Sequence, residues 1–373
     1  MTNQFAKVTL ADVARAAGVS LATADRVVNR RSGVRDRTIA RVNSVIARLG
    51  YRPDAAAARL SRDRSFRFLF ILPEGDNTFM NHLKEQVVVT ADWLAGQRAF
   101  IDMLFVDVFD PAVIGRTLEE ISTTYDGIAV VAVDHPRVRA AIDDLVARGT
   151  AVVTLVSDVP GSRRYHYVGI DNPAAGRTAG TLMGRFVGNR SGKIAVVAGS
   201  LALRDHAERY FGFNQVLARE YRNLKVLAPV EGRDERARTL FETGQLLAQH
   251  PDLVGIYSVG AGNRGIAEAI EAAGKTGQIV WIAHELTIYT RRFLVRGLID
   301  AVIAQNPGHE ARSAGRVLLA QCAGDRIFPD QETIGIDIYV RDNVPAGPLV
   351  TPLGEAPTRT TYEAAMDTAA ERS

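Results

Sequence analysis

From about residue 66, short apolar runs alternate with stretches that are long enough to form a helix. The runs that read as strands cover residues 68–72, 101–105, 127–131, 151–155, 193–198, 225–228, 255–259 and 279–283. Strands that are separated by helices pair in parallel, so this spacing predicts an α/β fold with doubly wound parallel sheets. Ligands of such sheets bind beyond the carboxyl ends of the strands, and the loops after these runs are therefore the first candidates for a site.

The first 64 residues differ from the rest of the chain in charge. They contain thirteen Lys or Arg against five Asp or Glu, a balance of +8, so the remaining residues sum to −5 within a net charge of +3. A basic head on a mildly acidic body is typical of a protein that binds nucleic acid. Charge alone leaves a solvated, Arg-rich surface as the alternative.

Length and composition set further limits. With 373 residues, 47% of them hydrophobic, the chain is long enough for two or three folded units with buried cores. The single cysteine, Cys322, excludes an intramolecular disulfide framework and favours a reducing compartment. No apolar run reaches about 18 residues, and the N-terminus lacks the pattern of a signal peptide. We therefore expect a cytoplasmic protein that is not associated with a membrane.

Three helices are predicted in the head. The first begins at the N-cap Thr9 and ends at Gly18, and the second begins at Ser20. The third covers about residues 36–49 and ends at Gly50. Apolar residues at helical spacing predict one small shared core, made of Leu10, Val13, Ala14, Ala17, Ala24, Val27, Val28, Ile39, Val42, Ile46 and Leu49.

The run from Val8 to Leu60 carries a resemblance to a known family. Its sequence, VTLADVARAAGVSLATADRVVNRRSGVRDRTIARVNSVIARLGYRPDAAAARL, resembles the DNA-binding head of the LacI family almost position for position. The resemblance implies a helix-turn-helix whose second helix enters the major groove with Leu21, Ala22 and Arg26 towards the bases. Arg26 is the candidate for a guanine contact, because a guanidinium can donate to both O6 and N7. The positions that match phosphate contacts of the family are Thr9, Ser20, Thr23, Asn29, Thr38 and Tyr51.

Some of these residues have a structural alternative or depart from the family. Thr9 and Ser20 would cap helices even in a protein that binds no DNA. Asp25 places a carboxylate on the face that meets a polyanion, and Asp54 stands where the family commonly has asparagine. Our hypothesis is that these acids reject wrong operators; an unchanged operator preference of Asp25→Asn would refute it.

Residues 54–65 are rich in alanine and form the predicted hinge. A helix of this length is unstable in isolation, so without DNA the segment would be a flexible linker. The resemblance implies that two hinges become helical together on DNA and that Leu60 of each inserts into the minor groove.

These patterns predict a head at 1–53, the hinge, a body at 66–345 and a disordered tail at 346–373. The body is expected to have two halves, formed by residues 66–166 with 289–327 and by residues 167–288 with 328–345. The tail has no leucine heptad, which argues against a tetramerising coiled coil. A homodimer is expected, because paired heads read the two halves of a palindromic operator.

The loops of the body resemble those of LacI-type effector domains and of the related periplasmic sugar-binding proteins. Carboxylates and amides in such sites bind vicinal hydroxyls, while flat or apolar groups cover the C–H faces of a sugar. The resemblance depends on loop positions after the predicted strands, and it departs from the family at Ser157, where Arg is frequent, and at His284, where an aromatic is usual. The implied effector-binding residues are Asn77, Phe79, Met80, Asp134, His135, Ser157, Asp205, Arg209, Asn263, His284, Glu285 and Gln305.

Two other classes of protein have some support. Gly260, Gly262 and Gly265 form a G-x-G-x-x-G with Glu285 about 20 residues later, as in NAD-type dinucleotide-binding enzymes. The strand before this motif is internal to the body, which disfavours that interpretation. A sugar-binding protein of transport type is disfavoured by the missing export signal and by the head.

The sequence thus favours a DNA-binding transcriptional regulator, with a repressor as the expected form, of a carbohydrate or polyol utilisation operon. A small sugar or polyol would be its effector, and operator DNA its macromolecular partner. Effector binding between the two halves of the body would shift their orientation and change the affinity for the operator. We expect no enzymatic activity, no cofactor and no metal site.

Overall fold

The computed structural model describes residues 8–28, 32–51, 65–75, 77–121 and 124–345. The chain divides into two compact units, one formed by Met1–Ser65 with Ala95–Arg98 and a larger one formed by Phe66–Leu94 with Ala99–Ser373. Several predictions fall outside the described residues. They concern Asn29, the hinge up to residue 64 with Asp54 and Leu60, and the tail from residue 346. None of the described helices is long and apolar enough to cross a membrane.

The head consists of α1 (Leu10–Ala17), α2 (Leu21–Val28) and α3 (Asp36–Leu49). Thr9 begins α1 with a capping box, in which its side chain accepts from the backbone N–H of Asp12 and the Asp12 carboxylate accepts from that of Thr9. Gly18 ends the helix with a φ of 62°, a left-handed conformation that glycine adopts without strain. These boundaries agree with the prediction.

The core of the head is smaller than predicted, and Leu10 of α1 and Val28 of α2 are only partly buried. Val13, Ala17, Val27 and Val42 are buried as expected, and Val45 joins them. Ile39, Ile46 and Leu49 are only partly buried, because α1 and α2 pack against the face of α3 that carries Val42 and Val45.

The first half of the body is a five-stranded parallel sheet. Its strand order is β2-β1-β3-β4-β5, and strand β1 runs through the centre of a hydrophobic core with Phe66, Phe68 and Phe70 buried. The strands are β1 (Phe66–Pro73), β2 (Ala99–Val106), β3 (Gly127–Val130), β4 (Ala151–Leu155) and β5 (His166–Val168), and the helices between them are α4 (Thr78–Ala95), α5 (Pro111–Glu120) and α6 (Pro136–Ala147).

The second half is a seven-stranded sheet in which β12 alone runs antiparallel to its neighbour. The order is β12-β11-β10-β9-β6-β7, and β8 also pairs with β6. Its elements are α7 (Asn172–Val187), β6 (Gly192–Ala198), α8 (Arg204–Glu220), β7 (Leu224–Val226), β8 (Val230–Glu231), α9 (Arg236–Gln249), β9 (Leu253–Ser258), α10 (Asn263–Ala272), β10 (Val280–His284), α11 (Ile288–Val295), β11 (Ala301–Ala304) and β12 (Asp337–Tyr339).

The two halves are joined by α12 (Pro307–Ala323), which follows β11 and packs on β3 and β4 of the first sheet; α13 (Pro329–Glu332) comes next. This corrects the predicted boundary, which placed residues 289–327 in the first half. Strand β11 pairs with β10, so the chain returns to the first half after Ala304 rather than at residue 289. The α/β class and the parallel sheets are confirmed.

Close packing of α7 on α8 fixes the position of the residues that follow. A Cβ at Gly176 would lie 2.0 Å from the carbonyl oxygen of Arg209, and one at Gly212 would lie 2.2 Å from that of Pro173. Because neither position has room for a side chain, the two helices approach closely and hold Arg209 beneath the carboxyl ends of the strands.

Candidate functional site: a polar cavity and an exposed helix

One face of α2 is exposed and carries the residues predicted to meet DNA bases. Leu21 is 54% exposed, and Ala22 and Arg26 are exposed with it, while Ala24 and Val27 are buried on the opposite face. The side chain therefore available for direct hydrogen bonding to bases on this face is that of Arg26.

The polar residues of the head already have local partners. The Ser20 hydroxyl accepts from the backbone N–H of Thr23 at 3.1 Å, and the Thr9 hydroxyl donates to Asp12 at 2.6 Å. Thr38 and Tyr51 are half-buried. Thr9 and Ser20 therefore support the helix ends, whatever else they bind.

In the body, a cavity of about 620 Å³ lies between the two sheets, at the carboxyl ends of their strands. Ten of the twelve predicted effector-binding residues line it: Asn77, Phe79, Met80, Ser157, Asp205, Arg209, Asn263, His284, Glu285 and Gln305.

Asp134 and His135 do not line this cavity, so their predicted placement is wrong. The Asp134 carboxylate is bound by Arg139 at 2.6 Å and lies 3.4 Å from Arg204, and the exposed His135 caps α6 by accepting from the backbone N–H of Arg137. The physical reason is that the chain after β3 continues through buried apolar residues. Val131 therefore faces the cavity in their place.

Arg209 is buried at the centre of one part of the cavity lining. This part, formed with Asp205, Glu285 and Gln305, is called the cavity floor. Its Nε donates to Asn172 at 2.8 Å and its Nη1 donates to the carbonyl oxygen of Val259 at 2.9 Å. The Nη2 atom lies 4.0 Å from Asp205 and 3.9 Å from Glu285, and it has no hydrogen-bond partner among the described residues. One donor of the guanidinium is thus left available.

Glu285 and Gln305 form a second part of the floor. The Gln305 amide donates to Glu285 Oε1 at 2.9 Å, and the Gln305 backbone N–H donates to Oε2 at 3.3 Å. Burial raises the pKa of Glu285 to about 7, while the charge of Arg209 acts in the opposite direction. Glu285 is therefore a carboxyl that changes its protonation near neutral pH.

His284 lies beside this pair and stays neutral. Its Nε2 pairs with the hydroxyl of Tyr257 at 2.8 Å, and burial lowers the pKa of the imidazole well below its usual range. Within the described part of the chain, three further buried polar atoms of the lining have no hydrogen-bond partner: His284 Nδ1, Asp205 Oδ1 and Gln305 Oε1.

The loop after β8 carried no signal in the sequence analysis, yet it adds the exposed Arg233 and the half-buried Asp234 to the cavity lining, and these two residues are called the cavity mouth. Asp234 accepts from the Asn77 amide at 2.8 Å and from the backbone N–H of Ala261 at 2.9 Å. Arg233 lies 3.7 Å from Asp107 and over the ring of Phe109. These contacts join the two halves of the body.

Backbone strain is concentrated around the same cavity. Four lining residues other than glycine have left-handed backbones, with φ of 64° at Val156, 50° at Arg233, 59° at Asp234 and 66° at Glu285. Such conformations cost free energy and are typical of binding and catalytic sites. A positive φ cannot be read from the identities of these residues, so the sequence offered no signal for it.

The glycines of the G-x-G-x-x-G motif are explained by packing. A Cβ at Gly265 would lie 2.4 Å from the carbonyl oxygen of Arg236, and one at Gly260 would lie 2.7 Å from the His206 ring. Gly262 has a φ of 86° and precedes α10. The motif therefore fits a close contact of α9 with α10, and dinucleotide binding is not needed to account for it.

Known proteins resemble this chain in two separate parts. Residues 68–326 match the family model of the periplasmic binding protein domain, and residues 9–54 match that of bacterial regulatory proteins of the lacI family. Catabolite control protein A of Staphylococcus epidermidis is 45% identical over 76 residues, 20% of this chain and 23% of that protein. The HTH-type transcriptional regulator DegA of Bacillus subtilis is 35% identical over 91 residues, 24% of this chain and 27% of that protein. The matched part of the chain thus covers only 23% of the length of catabolite control protein A and 27% of the length of DegA.

Among solved structures, similarity is confined to the fold. GanP, a glucose-galactose binding protein from Geobacillus stearothermophilus, has a TM-score of 0.69 at 21% identity and covers 76% of this chain and 100% of its own. A solute-binding protein of an ABC transporter from Burkholderia graminis, in complex with D-arabinose, has a TM-score of 0.70 at 24% identity and covers 80% and 100%.

Proposed function

Since this chain belongs to the family of the periplasmic binding protein domain and carries a lacI-family head, we propose that it is a sequence-specific DNA-binding transcriptional regulator. Its effector is a small sugar or polyol bound in the cavity of the body. Repression of a carbohydrate or polyol utilisation operon is the expected mode of action, and the site of action is the cytoplasm, where its DNA lies.

One observation carries the effector part of this proposal: the cavity floor presents buried polar atoms that lack partners. Arg209 Nη2 is a donor, and Asp205 Oδ1 and Gln305 Oε1 are acceptors. Hydroxyl groups both donate and accept, so a polyhydroxylated ligand can pair with all three. Buried polar atoms without partners are costly, and a ligand that satisfies them therefore stabilises the folded body.

A homodimer is the proposed assembly. In the body, β2 is an edge strand and carries the exposed Phe100 and Leu104, and α4 beside it exposes Val88, Val89 and Trp93. Exposed apolar side chains along an edge strand and on the helix near it are typical of protein interfaces. Two copies joined there would present two heads to a palindromic operator.

The proposed mechanism links the effector to the operator through the orientation of the two halves. Asn77 and Asp107 belong to the first half, and their partners Asp234 and Arg233 belong to the second. A ligand that bridges the same loops favours one relative orientation over the other. That preference can change the affinity for DNA only by as much as the ligand discriminates between the two states.

The experiment is a thermal-shift screen of the full chain with D-arabinose, D-glucose, D-galactose, other pentoses and hexoses, polyols and NAD. We expect a sugar or polyol to raise the melting temperature and then to change the affinity for operator DNA, measured by fluorescence anisotropy at several salt concentrations. Stabilisation by NAD alone, together with no salt-sensitive DNA binding, would overturn the proposal.

The DNA part has its own variant. Arg26→Ala should lower the affinity for the operator by roughly tenfold or more and relax its sequence preference, because it removes the base-reading guanidinium. Arg15→Ala, on α1 and paired with Asp12, is the matched control that removes the same charge from the head. Equal losses in both variants would show that Arg26 contributes only charge.

A further inference from the structure

The cavity floor holds more acid than base. Asp205 and Glu285 lie on opposite sides of Arg209, with their carboxylate oxygens 4.0 and 3.9 Å from the same Nη2 atom. Both distances are too long for a hydrogen bond. One guanidinium is therefore shared by two carboxylates, and it neutralises the equivalent of one of them.

A third carboxyl, Glu310 on α12, adds to the imbalance. Glu310 is fully buried, and neither of its oxygens has a hydrogen-bond partner within the described ranges. Burial, with the charge of Glu285 adding to it, raises the pKa of Glu310 well above its usual range. Glu310 is thus easier to protonate than an exposed glutamate, and it adds no positive charge to compensate Asp205 and Glu285.

The other titratable groups around the floor have partners of their own. On α8, the His206 ring accepts from the backbone N–H of Ser200, and its Nε2 lies 3.6 Å from Asp205. His284 is held neutral beside Tyr257, and the Tyr167 hydroxyl donates to the carbonyl oxygen of Val156. Glu332, which follows α12 in the chain, is bound by Arg316 and Ser313. Arg209 is accordingly the cation that faces both Asp205 and Glu285.

Building on the proposed effector function, we propose that effector binding releases one proton from Glu285 to solvent, so that the affinity for the effector rises with pH across neutrality. The ligand hydroxyls donate to the Asp205 and Glu285 carboxylates and thereby supply the hydrogen-bond donors that a single guanidinium cannot. A protonated Glu285 would itself be a hydrogen-bond donor at this position and would compete with the donating hydroxyl of the ligand. The O–H bond of the Glu285 carboxyl breaks, its proton goes to water, and the carboxylate accepts the hydroxyl of the ligand.

The position of Glu285 makes this exchange possible at neutral pH. Burial and the shared guanidinium hold the pKa of Glu285 at about 7, so the free protein contains both forms. For one group that is ionised in the complex and has this value in the free protein, the dissociation constant falls about tenfold between pH 6 and pH 8.

Isothermal titration calorimetry of the full chain tests the coupling. The probe is the member of the sugar panel above that gives the largest thermal shift, titrated at pH 6, 7 and 8 in two buffers with different ionisation enthalpies. We expect the tenfold change in Kd and, near pH 7, an apparent enthalpy that depends on the buffer because a proton is released. The same Kd at every pH with equal enthalpies in both buffers would overturn the inference but leave the proposed function intact.

Two variants separate Glu285 from its neighbour. Glu285→Gln should bind more weakly and should lose both the pH dependence and the buffer dependence. Glu310→Gln removes the neighbouring carboxyl but leaves Glu285 in place, and it should keep both. A pH dependence that survives in Glu285→Gln would assign the proton to another group.

A ligand-free measurement keeps the inference testable when no member of the sugar panel binds, a result that would count against the effector part of the proposed function. Glu285 is easier to protonate in the folded protein than in the unfolded chain. Wild type should therefore lose stability relative to Glu285→Gln as the pH rises from about 5 to about 7. Parallel stability curves for the two proteins, from urea denaturation, would overturn the inference.

Discussion

The head and the cavity floor use polar side chains in opposite ways. In the head, Thr9 pairs with Asp12 and Ser20 pairs with Thr23, each partner three positions away in the chain and exposed to solvent. At the cavity, Asn77 and Asp234 pair across 157 positions, and Arg209 meets Glu285 in a buried environment.

Because the contacts differ in sequence distance and in burial, the two regions should also differ in how much stability a substitution removes. A local, exposed contact can be replaced by water, so its loss is small and stays within one helix. A buried charge cannot be replaced in this way, and its loss leaves its partners without compensation. The following variants test this contrast, in order of decreasing effect.

Arg209→Ala should have the largest effect. Asp205 and Glu285 would lose the guanidinium between them, and removing one partner of a buried charged cluster costs roughly 3–5 kcal/mol. Urea denaturation followed by circular dichroism measures this loss. The control is Arg296→Ala, whose half-exposed ion pair with Glu271 should cost less than about 1 kcal/mol. Similar losses for the two variants would contradict the contrast.

Gly176→Ala should come next, because its Cβ would collide with the backbone of Arg209 rather than with a flexible side chain. We expect a destabilisation of about 1–3 kcal/mol or more and a weaker ligand response. Gly244→Ala, in α9 with nothing within 4 Å of the added carbon, is the matched control and should gain about 0.5–1 kcal/mol. A neutral Gly176→Ala would show that α7 and α8 can move apart.

Glu310→Gln should stabilise the body, with a dependence on pH. Because burial raises the pKa of Glu310, the folded state binds its proton more tightly than the unfolded chain does. Wild-type stability therefore falls as the pH rises above the unfolded value, by at most about 1.4 kcal/mol per pH unit from this group. Melting curves from pH 5 to pH 8 should show a gain for the variant that grows with pH; a constant difference would argue against a raised pKa of Glu310 in the folded protein.

Thr9→Ala should have the smallest and most local effect. Loss of the N-cap costs about 1 kcal/mol of helix stability. Hydrogen exchange of the full chain should become faster in α1 and stay unchanged around the cavity. Asn43→Ala, on the exposed side of α3, serves as the control, and faster exchange at the cavity in Thr9→Ala would refute the local character of the contact.

The same contrast explains what could be predicted from sequence. The helix ends of the head follow from capping residues within a few positions, and the long strands β1, β4 and β6 follow from continuous apolar runs. Strands β5, β8, β11 and β12 have two to four residues and were not predicted; pairing with neighbouring strands in the packed structure defines them. The missed boundary at Ala304 has this cause.

At the site, resemblance identified most residues that line the cavity but could not place each loop. Asp134 follows a strand as the prediction required, yet Arg139 and Arg204 hold it elsewhere. Asp234 and Arg233 carried no local signal, because their role depends on Asn77 and Asp107 in the other half. Long-range pairs of this kind are set by the packed structure, which a single sequence does not specify.

The loop that carries the cavity mouth also has a consequence for kinetics. We expect the residence time of the proposed effector to depend on how often the contacts of Asp234 with Asn77 and of Arg233 with Asp107 open. Tight contacts on the floor and slow exchange of ligand are thus set by different residues. We expect residues of the cavity mouth to set how long the response lasts after the effector is removed. Residues of the cavity floor should set the effector concentration at which the response begins.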